Sequence, residues 1–99
     1  MKQTLLLIAL VLFTLSSASA QTKYKEIDDI SYVSPNDTSS YRQERCKLDL
    51  YYPTDSNRPF KTIVWFHGGG LTEGHKDIPG DLKNQGVAVV APNYRLYPR

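Results

Sequence analysis

Apolar positions in this chain fall into three kinds of run, and each predicts a different element. Residues 46–53 (CKLDLYYP) alternate apolar and polar until Pro53, the period of a strand with one buried face. Residues 63–66 (IVWF) and 87–91 (VAVVA) are unbroken apolar runs rich in β-branched and aromatic side chains, the pattern of a strand covered on both faces. Residues 24–33 (YKEIDDISYV) scatter Ile27, Ile30, Tyr32 and Val33 among charges and stop at Ser34-Pro35-Asn36-Asp37, as an edge strand entering a turn does. Residues 77–85 (DIPGDLKNQ) carry an acidic cap, a proline in the first turn and Gly86 just beyond, which predicts a short helix that Gly80 weakens. Residues 38–44 are polar and read as loop, and residues 54–59 (TDSNRP) as a turn-rich connection.

The predicted fold class is α/β, with about four strands and the last two parallel around one βαβ crossover. Two strands with apolar faces on both sides need cover on both sides, and one short helix covers one. A chain of this size without a disulfide is also marginal as an independent fold. The sheet is therefore expected to be incomplete, with residues 21–99 forming the front part of a larger domain.

The first 20 residues stand apart. Lys2 gives a positive start, residues 5–15 (LLLIALVLFTL) are apolar but for Thr14, and residues 16–20 (SSASA) end in an A-x-A pattern. This is the layout of a secretory signal peptide cleaved after Ala20, and its apolar core is far shorter than the roughly 20 residues a bilayer span needs. The expected destination is the periplasm or the cell exterior, with no membrane attachment after cleavage.

Charge narrows the partners. The formal net charge is +2, and losing Lys2 with the leader leaves +1. Basic and acidic residues are interleaved rather than clustered, which argues against a nucleic-acid surface. The single cysteine, Cys46, forms no intrachain disulfide and reads as a small core residue. Asn36-Asp37-Thr38 matches the N-glycosylation acceptor pattern, which carries meaning only in a host that glycosylates exported chains.

The chemistry concentrates in residues 65–74 (WFHGGGLTEG), at the end of an apolar strand. Consecutive glycines let successive amides adopt conformations closed to other residues and converge on one point, a nest suited to an anion. Neither a P-loop nor a G-x-G-x-x-G pattern is present, so the phosphate option lacks its usual companions. The other anion such a nest suits is an oxyanion that develops during acyl transfer.

Three segments in order, LDLYYP (48–53), IVWFHGGG (63–70) and GVAVVAPNYRL (86–96), resemble the α/β-hydrolase family, in particular its carboxylesterase and lipase members with an HGGG motif. The resemblance implies that the Gly69 and Gly70 amides serve an oxyanion hole, with a third donor from the residue after the nucleophile. His67 and Gly68 would support that loop, His67 as a structural and not a catalytic residue. Tyr94 and Arg95 would serve packing and an internal ion pair. The implied reaction is carboxylic ester hydrolysis of a small-molecule substrate through a serine acyl-enzyme, with no metal or organic cofactor.

The rest of such a site is missing from the sequence. No G-x-S-x-G occurs, and no catalytic acid or base histidine can be assigned, so this chain is expected to be inactive alone. His75 has no partner at metal-ligand spacing and reads as a solvated loop residue, as does Glu73; Asp77 and Asp81 read as helix-capping or solvated. Two alternatives remain. One is an acetyl-xylan or feruloyl esterase, or a serine peptidase, of the same fold; the other is a small non-catalytic secreted protein that binds along a sheet edge. Oligomeric state leaves no trace in the sequence.

Overall fold

The alternating segment and the second apolar run pair with each other, and the rest of the sheet assembles around them. In the computed structural model, which describes residues 21–98, the strands are β1 (Tyr24–Ser31), β2 (Lys47–Pro53), β3 (Thr62–Val64) and β4 (Ala88–Pro92). One helix, α1 (Ser40–Arg45), lies between β1 and β2. The expected signal peptide, residues 1–20, lies outside the described residues.

The sheet order is β1-β2-β4-β3. β1 and β2 are antiparallel, as are β2 and β4, whereas β3 and β4 are parallel. β4 therefore has a neighbour on each side, and Ala88, Val89 and Ala91 of its apolar run are buried, the last two at 0% exposure, whereas Val87 and Val90 are half-buried. β1 takes the edge that its charged pattern predicts. It is interrupted between Ile27 and Ile30, where Asp29 adopts φ 59° and its amide donates to Asp49 at 3.0 Å. Such an irregularity discourages further pairing along an edge.

Register assigns the faces, because side chains alternate along a strand. Tyr51 pairs with Val89 and Asp49 with Ala91, so these share one face of the sheet. Ile78 and Leu82 from the crossover, Val87 and Tyr24 pack against the Tyr51–Val89–Ala91 cluster. The Tyr24 and Tyr51 rings stack at 4.8 Å. The Tyr51 hydroxyl donates to Asn84 Oδ1 at 3.2 Å and accepts the Asn84 amide at 3.1 Å, which ties the crossover to the sheet. The opposite face carries Leu48, Leu50, Val64 and Val90, all of them half-buried or exposed.

Three expectations are corrected. Residues 77–85 do not form an α-helix; they contain a single 3-10 turn at Gly80–Leu82. Pro79 is extended at ψ 132° and Asn84 is left-handed at φ 61°, so helical geometry cannot propagate in either direction. Ile78 and Leu82 still reach the core, so the crossover covers the sheet without a helix.

The run at residues 63–66 is not covered on both faces. β3 is three residues long and lies at the sheet edge, and Val64, Trp65 and Phe66 are 52%, 43% and 62% exposed. The polar segment 38–44, read as loop, instead leads into α1. Ser39 caps it by accepting the Arg42 amide at 3.2 Å, while Asp37 accepts the Ser39 amide at 2.8 Å and pairs with the Arg42 side chain at 2.8 Å. This local network replaces the apolar stripe that usually announces a helix.

Candidate active site

Strand directions bring three distant segments to one end of the sheet. β3 and β4 are parallel and finish there, and β2, antiparallel to β4, begins there: the Asn93 amide just past β4 donates to the Lys47 carbonyl at 2.9 Å. The glycine loop after β3, residues 93–98 after β4, and the α1–β2 junction therefore converge. Ligands of open α/β sheets sit beyond the carboxyl ends of parallel strands.

The loop after β3 folds back on itself. The Gly69 carbonyl accepts the Thr72 and Glu73 amides, each at 3.2 Å, and the Thr72 hydroxyl at 3.1 Å. This needs Gly69 at φ 131° and Gly70 at φ 63°, and a Cβ at Gly69 would overlap the Glu73 carbonyl. Leu71 is left-handed as well, at φ 66°, a conformation that costs a non-glycine residue about 1–2 kcal/mol. Its carbonyl is pinned by the Tyr97 amide at 2.7 Å. Gly68 is different, since a Cβ there meets nothing within 4 Å. Among the described residues, the Gly69 and Gly70 amides donate to no protein acceptor. Gly69 is half-buried and Gly70 exposed.

His67, where this loop begins, is buried, at 8% exposure. Its ring stacks on Tyr94 at 4.3 Å, and the Tyr94 hydroxyl donates to the His67 carbonyl at 2.7 Å. The ring nitrogens lie 2.7 Å (Nδ1) from the Gly68 carbonyl and 3.0 Å (Nε2) from Arg45 Nη2. An arginine only donates, so Nε2 accepts; the proton then sits on Nδ1 and is given to Gly68. Gly74 packs against this bond so closely that a Cβ would lie 2.6 Å from His67 Nδ1.

Arg45, at the end of α1, was singled out by no motif. It is as buried as His67, and its guanidinium also donates to the Gly74 carbonyl at 2.8 Å, the Tyr94 carbonyl at 2.9 Å and His75 Nδ1 at 3.3 Å. The signal available in the sequence was its position immediately before β2, which the mixed sheet places beside the ends of β3 and β4.

The other candidates disperse. Arg95 is exposed and makes no ion pair among the described residues, which corrects its assignment to an internal pair; Tyr94 packs on His67. His75 is exposed yet bound to Arg45, and Glu73, Asp77 and Asp81 face solvent. Cys46 is buried and free. Burial pushes the neighbouring Tyr32 hydroxyl up to about 12, with help from its hydrogen bond to Cys46. Lys76 links the loop's far end to the sheet through Asp49 at 2.7 Å and Asp29 at 2.9 Å; burial opposes its charge, but the two carboxylates still hold it above the usual lysine range. Among the described residues no group of three or more His, Cys, Asp or Glu is placed to hold a metal ion. Nor does any serine carry the flanks of a nucleophile elbow.

Two parallel strands with a glycine loop beyond the first form one end of a mixed, open four-stranded sheet. Residues 48–99 match the BD-FAE family, an esterase-type α/β-hydrolase domain, and the chain belongs to that family. In structure it is similar to esterase B from Lactobacillus Rhamnosis (HN001), with a TM-score of 0.56 and 24% identity over 98% of this chain. That likeness shows the fold, and the chain spans 30% of the esterase's length.

Proposed function

We propose that this chain carries the oxyanion-stabilising part of an exported serine hydrolase of carboxylesterase type. The observation that carries the reading is the pair of unpaired amides at Gly69 and Gly70, on a loop held in shape beyond the end of β3. When a nucleophile adds to an ester, the carbonyl oxygen gains negative charge. Pre-oriented N–H donors then stabilise the tetrahedral intermediate by about 3–4 kcal/mol each. Family membership supports an esterase as the setting. His67 takes no part in proton transfer on this reading, since both ring nitrogens are occupied by Gly68 and Arg45.

The serine, its base and the acid would come from further polypeptide, and the present chain would hydrolyse no ester alone. The coding frame beyond Arg99, in phase or after one frameshift, is expected to specify G-x-S-x-G within several hundred bases. The complete protein is expected to hydrolyse short p-nitrophenyl esters and to lose activity to a serine-directed phosphonate. Activity that persists after phosphonate treatment would sink the serine mechanism. Parallel assays on acetylated xylan, feruloyl esters and dipeptide amides sort the acyl class. Residues 1–20 would direct export, and mass spectrometry of the exported product is expected to find Gln21 at its N-terminus.

A further inference from the structure

Among the described residues Arg45 is a buried cation with no carboxylate beside it. Its acceptors are the carbonyls of Gly74 and Tyr94 and the rings of His67 and His75. Burying a guanidinium among neutral groups is costly, and is sustained only where its donors are well used. Here every acceptor belongs to the two loops that leave β3 and β4.

We infer that Arg45 is the positioning residue of the oxyanion loop, acting through the tautomer of His67. The inference rests on reading the Gly69 and Gly70 amides as the oxyanion donors. The chain of causes is short. The Arg45 Nη2–H occupies His67 Nε2, so the ring proton stays on Nδ1. That Nδ1–H holds the Gly68 carbonyl toward the ring at 2.7 Å. In a trans peptide the C=O and the following N–H point in opposite directions, so fixing the Gly68 carbonyl aims the Gly69 N–H away from the histidine. A second Nη2–H on the Gly74 carbonyl clamps the other end of the loop, whose Cα lies against the same His67–Gly68 bond. Without Arg45, nothing reserves Nε2 as an acceptor. In the other tautomer Nδ1 would set a lone pair against the Gly68 carbonyl oxygen, and that peptide would have to turn.

The test uses the complete protein carrying this segment, with Arg45→Met, Arg45→Lys, His67→Ala and the Arg45→Met/His67→Ala double variant. Two readouts run in parallel. Long-range 15N–1H correlation of the His67 ring is expected to show a proton on Nδ1 in the parent and a change of tautomer in Arg45→Met. With short p-nitrophenyl esters, Arg45→Met is expected to lower kcat about 10²–10³-fold, the scale of one lost oxyanion donor, with KM within about threefold. Arg45→Lys, which keeps the charge and a donor, is expected to recover part of that loss. Because the arginine acts through the histidine, the double variant should be little worse than His67→Ala. An unchanged tautomer in a folded Arg45→Met, or in Arg45→Ala if Met prevents folding, overturns the inference, whereas Arg45→Lys, which keeps a donor for Nε2, is expected to retain it. So does kcat within about threefold of the parent in the same variant, or full additivity in the double. If the parent hydrolyses no ester, the proposed function fails, while the tautomer arm still decides the role of Arg45.

Discussion

β3 and β4 carry the same kind of sequence, a short unbroken apolar run, and the structure treats them differently. β4 lies inside the sheet under the crossover, with Val89 at 0% exposure; β3 lies at the edge, with Val64 at 52%. An apolar run states what a strand can tolerate on its faces, whereas its neighbours decide what it meets. β3 keeps its place through pairing with β4 and through the loop that follows it. β4 keeps its place through side-chain burial.

That difference makes the two strands respond unequally to the same change. Val89→Ala is expected to cost about 2–3 kcal/mol in urea unfolding, from lost burial plus the cavity left behind, and Val64→Ala less than about 1 kcal/mol. Equal costs would abolish the distinction. If the loop rather than cover holds the end of β3, Gly69→Ala should cost about 1–3 kcal/mol, because its φ of 131° and the Glu73 carbonyl both exclude a Cβ. Gly68→Ala, with open space around it, should stay within about 0.5 kcal/mol, measured the same way.

The cover over β4 can be loosened without touching the strand. Tyr51→Phe removes the two hydrogen bonds to Asn84 and keeps the ring stack, and is expected to cost about 1 kcal/mol. Amide exchange should then quicken at Val89 more than at Ile63. The smallest effect is acid sensitivity. A hydrogen bond from Lys76 and its charge hold Asp29 below the usual carboxylate range, and the Arg42 hydrogen bond does the same for Asp37. Both groups bind protons more readily in the unfolded chain. Their contribution is therefore complete above about pH 4 and disappears as pH falls through their lowered native values. An Asp29→Asn/Asp37→Asn variant should flatten the fall of the urea midpoint below about pH 4, with β3 and β4 affected alike.

Period and composition made β1, β2 and β4 legible, because alternation and β-branched runs report directly on burial. The same signals misread residues 77–85, where Pro79 and a left-handed Asn84 override the cap-like flanks. They missed α1, which is six residues long and is organised by Asp37 and Ser39 rather than by an apolar face. At the site, HGGG marked the loop because three glycines are expensive and therefore informative. Arg45 stayed hidden, since a lone arginine before a strand looks like any surface cation. Its role emerges only when the antiparallel pairing of β2 brings position 45 beside position 67.

The back-folded glycine loop also sets where this polypeptide tolerates changes of length. Gly69 binds the amides three and four positions on, and Gly74 rests against the His67 ring, so the segment between them works as a ruler of fixed span. One residue added there would slide every later atom off its mark, however mild its side chain. Beyond Thr54 and Asp55, which bond to Lys23, the exposed residues 56–59 on the way from β2 to β3 measure nothing comparable. Tags, cleavage sites and insertions belong at that connection, and the stretch from His67 to Gly74 should keep its length wherever the loop keeps its purpose.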